Sequence, residues 1–376
     1  MPTIPLTRPF FDQTELQRVG EALGRRVSGD GPFCERVEER LSERLEGRTV
    51  LLTTSCTHAL ELALLAFGIG PGDEVISPSF AFSSTANATL RVGARPVFAD
   101  IAEDTLGLDP ADVARRLGPR TAAVIPVHYA GLAADLEGLE ALAEERPFRI
   151  VEDAAHGLDA RYRGRPLGTL GDAGCFSFHE TKNITCGEGG ALILKDPEVV
   201  RRAEMIREKG TNRQAFLRGE VDRYTWVAEG SSYVLADVLA AILDAQLDKL
   251  EEIQRRRLGI LARYRAELGD WARARDVRLQ APLPERQENA HLFFMLLPSP
   301  EARDGAIDQL REAGVQAAFH FVPLHTAPHS ERAGIPRASL PVTERVAATL
   351  LRLPLHPGMT EEDVGRVVEA VRGLRL

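Results

Sequence analysis

Cys175-Phe176-Ser177-Phe178-His179-Glu180-Thr181-Lys182-Asn183-Ile184-Thr185-Cys186-Gly187-Glu188-Gly189-Gly190 decides the fold. Its first part is apolar and strand-like, and it delivers one primary amine, Lys182, to a polar loop that ends on glycines. The chain has four lysines against 42 arginines, so arginine is its ordinary surface cation and Lys182 stands apart. An arginine cannot condense with an aldehyde; a lysine amine can.

Outward from this stretch, short apolar runs alternate with helical patterns from about residue 50 to 195. That is the habit of a mostly parallel sheet covered by helices. Strands are expected at 49–53, 74–77, 96–100, 122–127, 149–153, 173–178 and 191–194, and a helix at 57–67 with Leu60, Ala63, Leu64 and Phe67 on one face. From 236 to 268 an apolar stripe through Leu239, Ile242, Leu243, Leu247, Leu250 and Ile253 predicts one long helix connecting two domains. Beyond the Pro282-Leu283-Pro284 linker, a strand at 292–297, a helix at 303–312, a strand at 315–321 and a helix at 361–372 make a compact α+β unit. The expected division is an N-terminal segment 1–30, a large domain 31–250 and a small domain 251–376.

The 376 residues suffice for such a pair of domains. A formal charge of −9 with scattered signs and no basic run argues against a nucleic-acid groove. Cys34, Cys56, Cys175 and Cys186 lie far apart without C-x-x-C spacing, which suggests reduced thiols rather than a disulfide framework or zinc ribbon. The first residues lack a signal-peptide pattern, and no apolar run approaches the roughly 20 residues that span a bilayer, so a soluble cytoplasmic protein is expected.

Three further segments carry chemistry. In Thr53-Thr54-Ser55-Cys56-Thr57-His58-Ala59-Leu60 a strand breaks into small hydroxyl residues and starts a helix; this is a plain N-cap or an anion site. Phe148-Arg149-Ile150-Val151-Glu152-Asp153-Ala154-Ala155-His156-Gly157 runs a strand into carboxylates and a histidine at the strand end where α/β sheets hold ligands. Asp153 there is a helix N-cap or the partner of a cofactor ring nitrogen, and His156 is a structural histidine or a contact to the same ligand. In Pro78-Ser79-Phe80-Ala81-Phe82-Ser83-Ser84 either phenylalanine serves the core or offers a flat face. An amine, a carboxylate, an anion site and an apolar face are the four demands of pyridoxal 5′-phosphate. His320, His325 and His329, spaced five and four apart across Pro323 and Pro328, do not form a helical metal pair.

These segments, in this order and over nearly the whole chain, resemble the DegT-type sugar-nucleotide aminotransferases of the fold-type I, aspartate aminotransferase-like, pyridoxal-phosphate class. Glu208-Lys209-Gly210-Thr211-Asn212-Arg213, Tyr224-Thr225-Trp226, Gly230-Ser231-Ser232-Tyr233 and Ala318-Phe319-His320-Phe321-Val322-Pro323-Leu324-His325 look like the branch that aminates C4 of dTDP-4-keto-6-deoxyglucose. The resemblance implies Lys182 as the Schiff-base lysine, Asp153 as the pyridinium partner, His156 near the ring hydroxyl and Phe82 as the stacking residue. It places the phosphate on Ser55, Cys56 and Ser177. Ser232 stands where many members send an asparagine into a partner's phosphate site, which implies a homodimer with shared sites. Lys209 and Arg213 are diphosphate or sugar contacts or else solvated surface charges, and the resemblance makes His320 and His325 neighbours of the sugar. The implied reaction is amino transfer from an amino acid, glutamate, to the ketosugar. A related sugar dehydratase would carry histidine in place of Lys182, and a non-catalytic regulator would not need the full set.

Overall fold

The computed structural model describes residues 2–376. Along the chain, β1 (Thr49–Thr53), β2 (Glu74–Pro78), β3 (Arg95–Ala99), β4 (Thr121–Val124) and β5 (Arg149–Asp153) precede a short hairpin of β6 (Arg161–Tyr162) and β7 (Arg165–Pro166); β8 (Ala173–Ser177) and β9 (Gly190–Leu194) follow. Seven of these form one sheet in the order β1-β9-β8-β5-β4-β2-β3. Only β9 runs against the rest, pairing antiparallel with β1 and β8. The sheet is therefore mostly parallel, and fold-type I architecture is what the chain adopts.

Both faces of the sheet are covered, as a parallel sheet requires. Leu51, Val75, Ala123, Val151, Cys175 and Leu192 face one cluster. Their alternates divide between two clusters on the other face, Leu52, Phe176 and Ile193 in one and Ile76, Val124 and Ile150 in the other. Helix α1 (Gln13–Leu23) and α2 (Pro32–Arg44) cover one side, and α3 (Cys56–Ala66) and α4 (Ser83–Arg91) leave the ends of β1 and β2. The single apolar face expected for α3 is an underestimate: Ala59, Leu60, Leu62, Ala63, Leu64 and Ala66 are all fully buried, so the helix is enclosed all round.

The long helix expected over 236–268 is two helices, Asp237–Asp248 and Leu250–Arg273. The chain leaves helical geometry at Lys249, whose ammonium is held by Glu15 at 2.5 Å and Asp12 at 3.2 Å. Next come β10 (Arg278–Leu279), β11 (Arg286–Gln287), β12 (Phe293–Leu296) and β13 (Leu350–Leu353). β10, β12 and β13 form an antiparallel sheet packed on the helix Glu361–Arg372 through Phe293, Met295, Leu351, Val364 and Val368. No strand forms over 315–321. Val315 bridges Ile4 and Ala318 bridges Arg352, because this segment pairs with two different elements in turn.

The first residues strap the two cores together. Ile4 pairs with Gly314 and Gln316 and is buried in the C-terminal core. Leu6 accepts the Leu355 amide at 3.2 Å, and Phe10 packs against the cluster of the helix Asp237–Asp248.

Candidate active site

Register brings the chemistry to one end of the sheet. Thr53 and Ser177 each lie opposite Gly190, and Asp153 lies opposite Cys175. Around these ends a cavity of about 540 Å³ opens, lined by Ser55, Cys56, Phe82, Asp153, His156, Ser177, Lys182 and His320 among others. That volume suits a small cofactor together with part of a substrate.

Asp153 is buried at the end of β5 and accepts the Thr85 hydroxyl at 3.0 Å and the Ala155 amide at 3.2 Å. It caps no helix; the residues after it form a turn. Burial pushes its carboxyl up, opposed by those two donors and by Lys182. A carboxylate under that strain gains from a cation set against it. Behind it, Glu152 is fully enclosed and accepts His128 Nε2 at 2.9 Å and the amides of Gly168, Leu170 and Gly171. This lock fixes the end of β5.

Lys182 follows β8 in a tight turn, its amide donating to His179 O at 2.9 Å. Loss of hydration lowers its amine below the ordinary lysine value, with Arg352 adding to the effect and Asp153 opposing it. More of the amine is therefore neutral and nucleophilic near pH 7.

At the start of α3 the N-cap reading of the Thr53–Leu60 segment holds, and it leaves room for the anion reading. Ser55 is the N-cap, accepting the His58 amide at 3.1 Å. The amides of the first turn still point outward without helical acceptors, and the helix dipole favours an anion there. Gly190 allows this closeness: a Cβ on it would lie 2.4 Å from Cys56 N. Burial pushes the Cys56 thiol well above its ordinary range, which leaves its backbone as the useful group. The two phenylalanines also separate, Phe80 fully buried and Phe82 65 % exposed at the cavity.

His156 stacks on His291 with centroids 4.1 Å apart, and its Nδ1 accepts the Ala130 amide at 3.3 Å. Burial, then Lys182, hold His156 well below the ordinary histidine value. His320 meets the Tyr129 hydroxyl at 3.1 Å and is lowered to about 2 by burial, then Arg352. Burial thus favours the neutral form of both rings, which can accept or donate one hydrogen bond.

Four expected residues are not in this cavity. His325 is buried elsewhere, bonded to Ser79 at 2.7 Å and Glu344 at 3.2 Å, which pins a loop rather than lining a sugar pocket. Arg213 is neither a free surface charge nor a cavity contact: Asp30 at 2.8 Å and Glu208 at 3.0 Å hold it in a network with buried Arg207. Lys209 is exposed in a left-handed turn with φ 64°, and Ser232 is exposed at the base of an arm formed by 211–232.

Sequence reading missed Thr85, Tyr129, His291 and Arg352, all at or just behind the cavity wall. Thr85 and Tyr129 carry no local signal. His291 precedes a strand the sequence does reveal, and Arg352 is one of 42 arginines.

The profile of the DegT/DnrJ/EryC1/StrS aminotransferase family matches residues 9–372. Among solved structures, the aminotransferase TlmJ from Streptoalloteichus hindustanus is 35 % identical, with a TM-score of 0.89 and 98 % of each chain covered. DesV from S. venezuelae, solved with a ketimine intermediate, is 32 % identical with a TM-score of 0.89 over 99 % of this chain and 98 % of that one. Spr1654 from Streptococcus pneumoniae, solved in PMP and PLP forms, is 26 % identical; its PMP form has a TM-score of 0.92 over 99 % of this chain and 97 % of that one.

Proposed function

From the premise that the chain belongs to the DegT/DnrJ/EryC1/StrS aminotransferase family and is a pyridoxal-phosphate-dependent sugar aminotransferase, we propose that it transfers an amino group from L-glutamate to C4 of dTDP-4-keto-6-deoxy-D-glucose. The product is the 4-amino-4,6-dideoxy sugar nucleotide of gluco or galacto configuration. The observation that carries the reading is the amine of Lys182 and the carboxylate of Asp153 in one cavity. The choice of sugar rests on the likeness of 208–213, 224–226, 230–233 and 318–325 to the C4-aminating branch.

The site fits the cofactor: α3 offers an anion cradle that Gly190 keeps open, Phe82 an exposed flat face, and Asp153 a buried carboxylate that favours a cation. Bound there, pyridoxal phosphate supplies a carbonyl that carries nitrogen and a ring that takes up the electron pair of a broken C–H bond. In this reading Lys182 would hold the cofactor through its amine and, when free, would carry a proton between carbons. Asp153, aligned by Thr85, would hold the ring nitrogen protonated. Ser55, Cys56 and Ser177 would hold the phosphate, and His156 would hold the ring hydroxyl. Affinity for the sugar nucleotide comes largely from its diphosphate, remote from the reacting carbon.

The reading also makes the protein a homodimer. Tyr224, Trp226 and Val227 stand 54, 75 and 49 % exposed on the 211–232 arm, an apolar surface suited to a partner. Ser232 at its base takes the role of the asparagine other members send across. The test is one reaction with the ketosugar and L-glutamate followed by NMR of the product. An aminated C4 supports the proposal and fixes the configuration; an unchanged ketosugar, or amination at another carbon, refutes it.

A further inference from the structure

One short seam behind the cavity joins the base of the 211–232 arm to the start of α3. The Ser231 amide donates to Ile206 O at 2.9 Å and the Tyr233 amide to Arg207 O at 3.1 Å, which ties the base of the arm to the helix Pro197–Arg207. On the other edge of the same segment, Tyr233 O accepts the Thr54 amide at 2.9 Å, and Val234 bridges Thr53. Residues 231–234 therefore lie between that helix and the end of β1, one step before Ser55 and Cys56. Gly230 lets the backbones close on each other there: a Cβ on it would lie 2.1 Å from Gly210 N.

The side chain of Tyr233 fastens the seam to α3 a second time. Its ring is buried beside His58, with centroids 4.8 Å apart, and its hydroxyl donates to Glu61 at 3.2 Å. His58 in turn meets the Thr54 hydroxyl through Nδ1 and donates its amide to the Ser55 hydroxyl. Burial, then Glu61, push the phenol up to about 12, so it remains a donor at neutral pH. Glu61 is itself buried, and the phenol is its one hydrogen-bond donor among the described residues. Tyr233 does not line the cavity, so it acts there only through α3.

We propose that Tyr233 is a positioning residue for the cofactor phosphate, holding the α3 cradle and the base of the arm as one unit, so that the two sites of a dimer load cooperatively. This rests on the reading of Proposed function, in which Ser232 reaches the partner's phosphate while Tyr233, the next residue, secures the cradle of its own protomer. An anion at Ser55 and Cys56 fixes the seam, and the fixed seam presents Ser232 to the partner. Such coupling is reciprocal, so the first cofactor bound favours the second.

The test uses the full chain freed of cofactor, titrated with pyridoxal phosphate and with pyridoxal, which has the aldehyde and ring without the phosphate. Tyr233→Phe is expected to weaken pyridoxal phosphate about tenfold and to leave pyridoxal within about twofold, since one hydrogen bond to a charged group behind the cradle is lost. A merely structural role would weaken both alike. Uptake of pyridoxal phosphate is expected to be sigmoidal in the wild type and hyperbolic in the phenylalanine variant. Glu61→Leu removes the acceptor without stranding a charge, guards against a folding defect in Tyr233→Phe and should reproduce its losses. Glu61→Gln still accepts the phenol and keeps wild-type affinity within about twofold. Equal losses for the two ligands in Tyr233→Phe, or hyperbolic uptake by the wild type, overturn the proposal and leave C4 amination to its own test. No sugar or amino donor is present, so a ketosugar left unaminated would overturn the proposed function without altering these titrations.

Discussion

Replacing Lys182 by alanine removes both the attachment point and the proton carrier, and turnover of ketosugar is expected to fall roughly 100- to 10,000-fold or more; native-rate turnover in a coupled assay would refute its role. Thr85→Val takes a hydroxyl from a buried carboxylate, a loss of about 1.5–3 kcal/mol where the acceptor is charged. Weaker cofactor retention on gel filtration, with the fold intact by circular dichroism, is the expected outcome. Three histidines give a pH signature in the cofactor-free protein. His156, His291 and His320 are all held below the ordinary histidine value by burial. The unfolded chain therefore binds protons that the folded one refuses, and stability is full above about pH 6.5 and is lost as pH falls below it. At pH 5 His320 alone, lowered to about 2, costs about 2 kcal/mol, and the other two add in the same direction. Urea midpoints at pH 7 and pH 5 should differ accordingly, and by less in His320→Asn; equal midpoints would refute the linkage. Lys182 and Asp153 were legible because rarity and strand-end position mark them, while Thr85 and Arg352 acquire meaning only from what the fold sets beside them.

At the scale of elements, Gly190→Ala tests the contact between β9 and α3. A methyl group 2.4 Å from Cys56 N forces the helix start away from the strand. The expected cost is about 1–3 kcal/mol, as for overpacking elsewhere, together with weaker cofactor binding. A denaturation midpoint and cofactor titration equal to wild type would show that the two elements can part freely. β1 and β5 were read to the residue because turn signals bound short β-branched runs. The segment 315–321 misled because its apolar composition suits a strand but its backbone partners lie on separate elements. The pattern over 236–268 hid a break because the apolar stripe continues through Lys249, whose departure from the helix is set by Glu15 and Asp12 from far earlier in the chain. β13 went unseen because Leu350-Leu351-Arg352-Leu353 follows a helix without a turn residue between them.

For the whole molecule, the proposed dimer assigns association to the 211–232 arm. Trp226→Glu places a charge on its most exposed aromatic, and sedimentation is expected to shift from twice the chain mass toward the single chain. The same variant should lose cofactor more readily, since Ser232 would no longer reach a partner's phosphate site. A wild-type protein that sediments as one chain at micromolar concentration would remove the shared site from the proposal. Mostly parallel topology was readable from alternating runs; the reversal of β9, which returns Gly190 to the ends of β1 and β8, was not, since strand direction is a property of connections.

The strap of residues 4–10 carries a practical warning. Ile4 is anchored in one core and Phe10 in the other, and Leu6 and Thr7 between them form part of the cavity wall. Trimming the chain to residue 8, or splicing a purification handle tightly against Ile4, would loosen the floor on which donor and ketosugar take turns, so the carboxyl end is the gentler place to attach one.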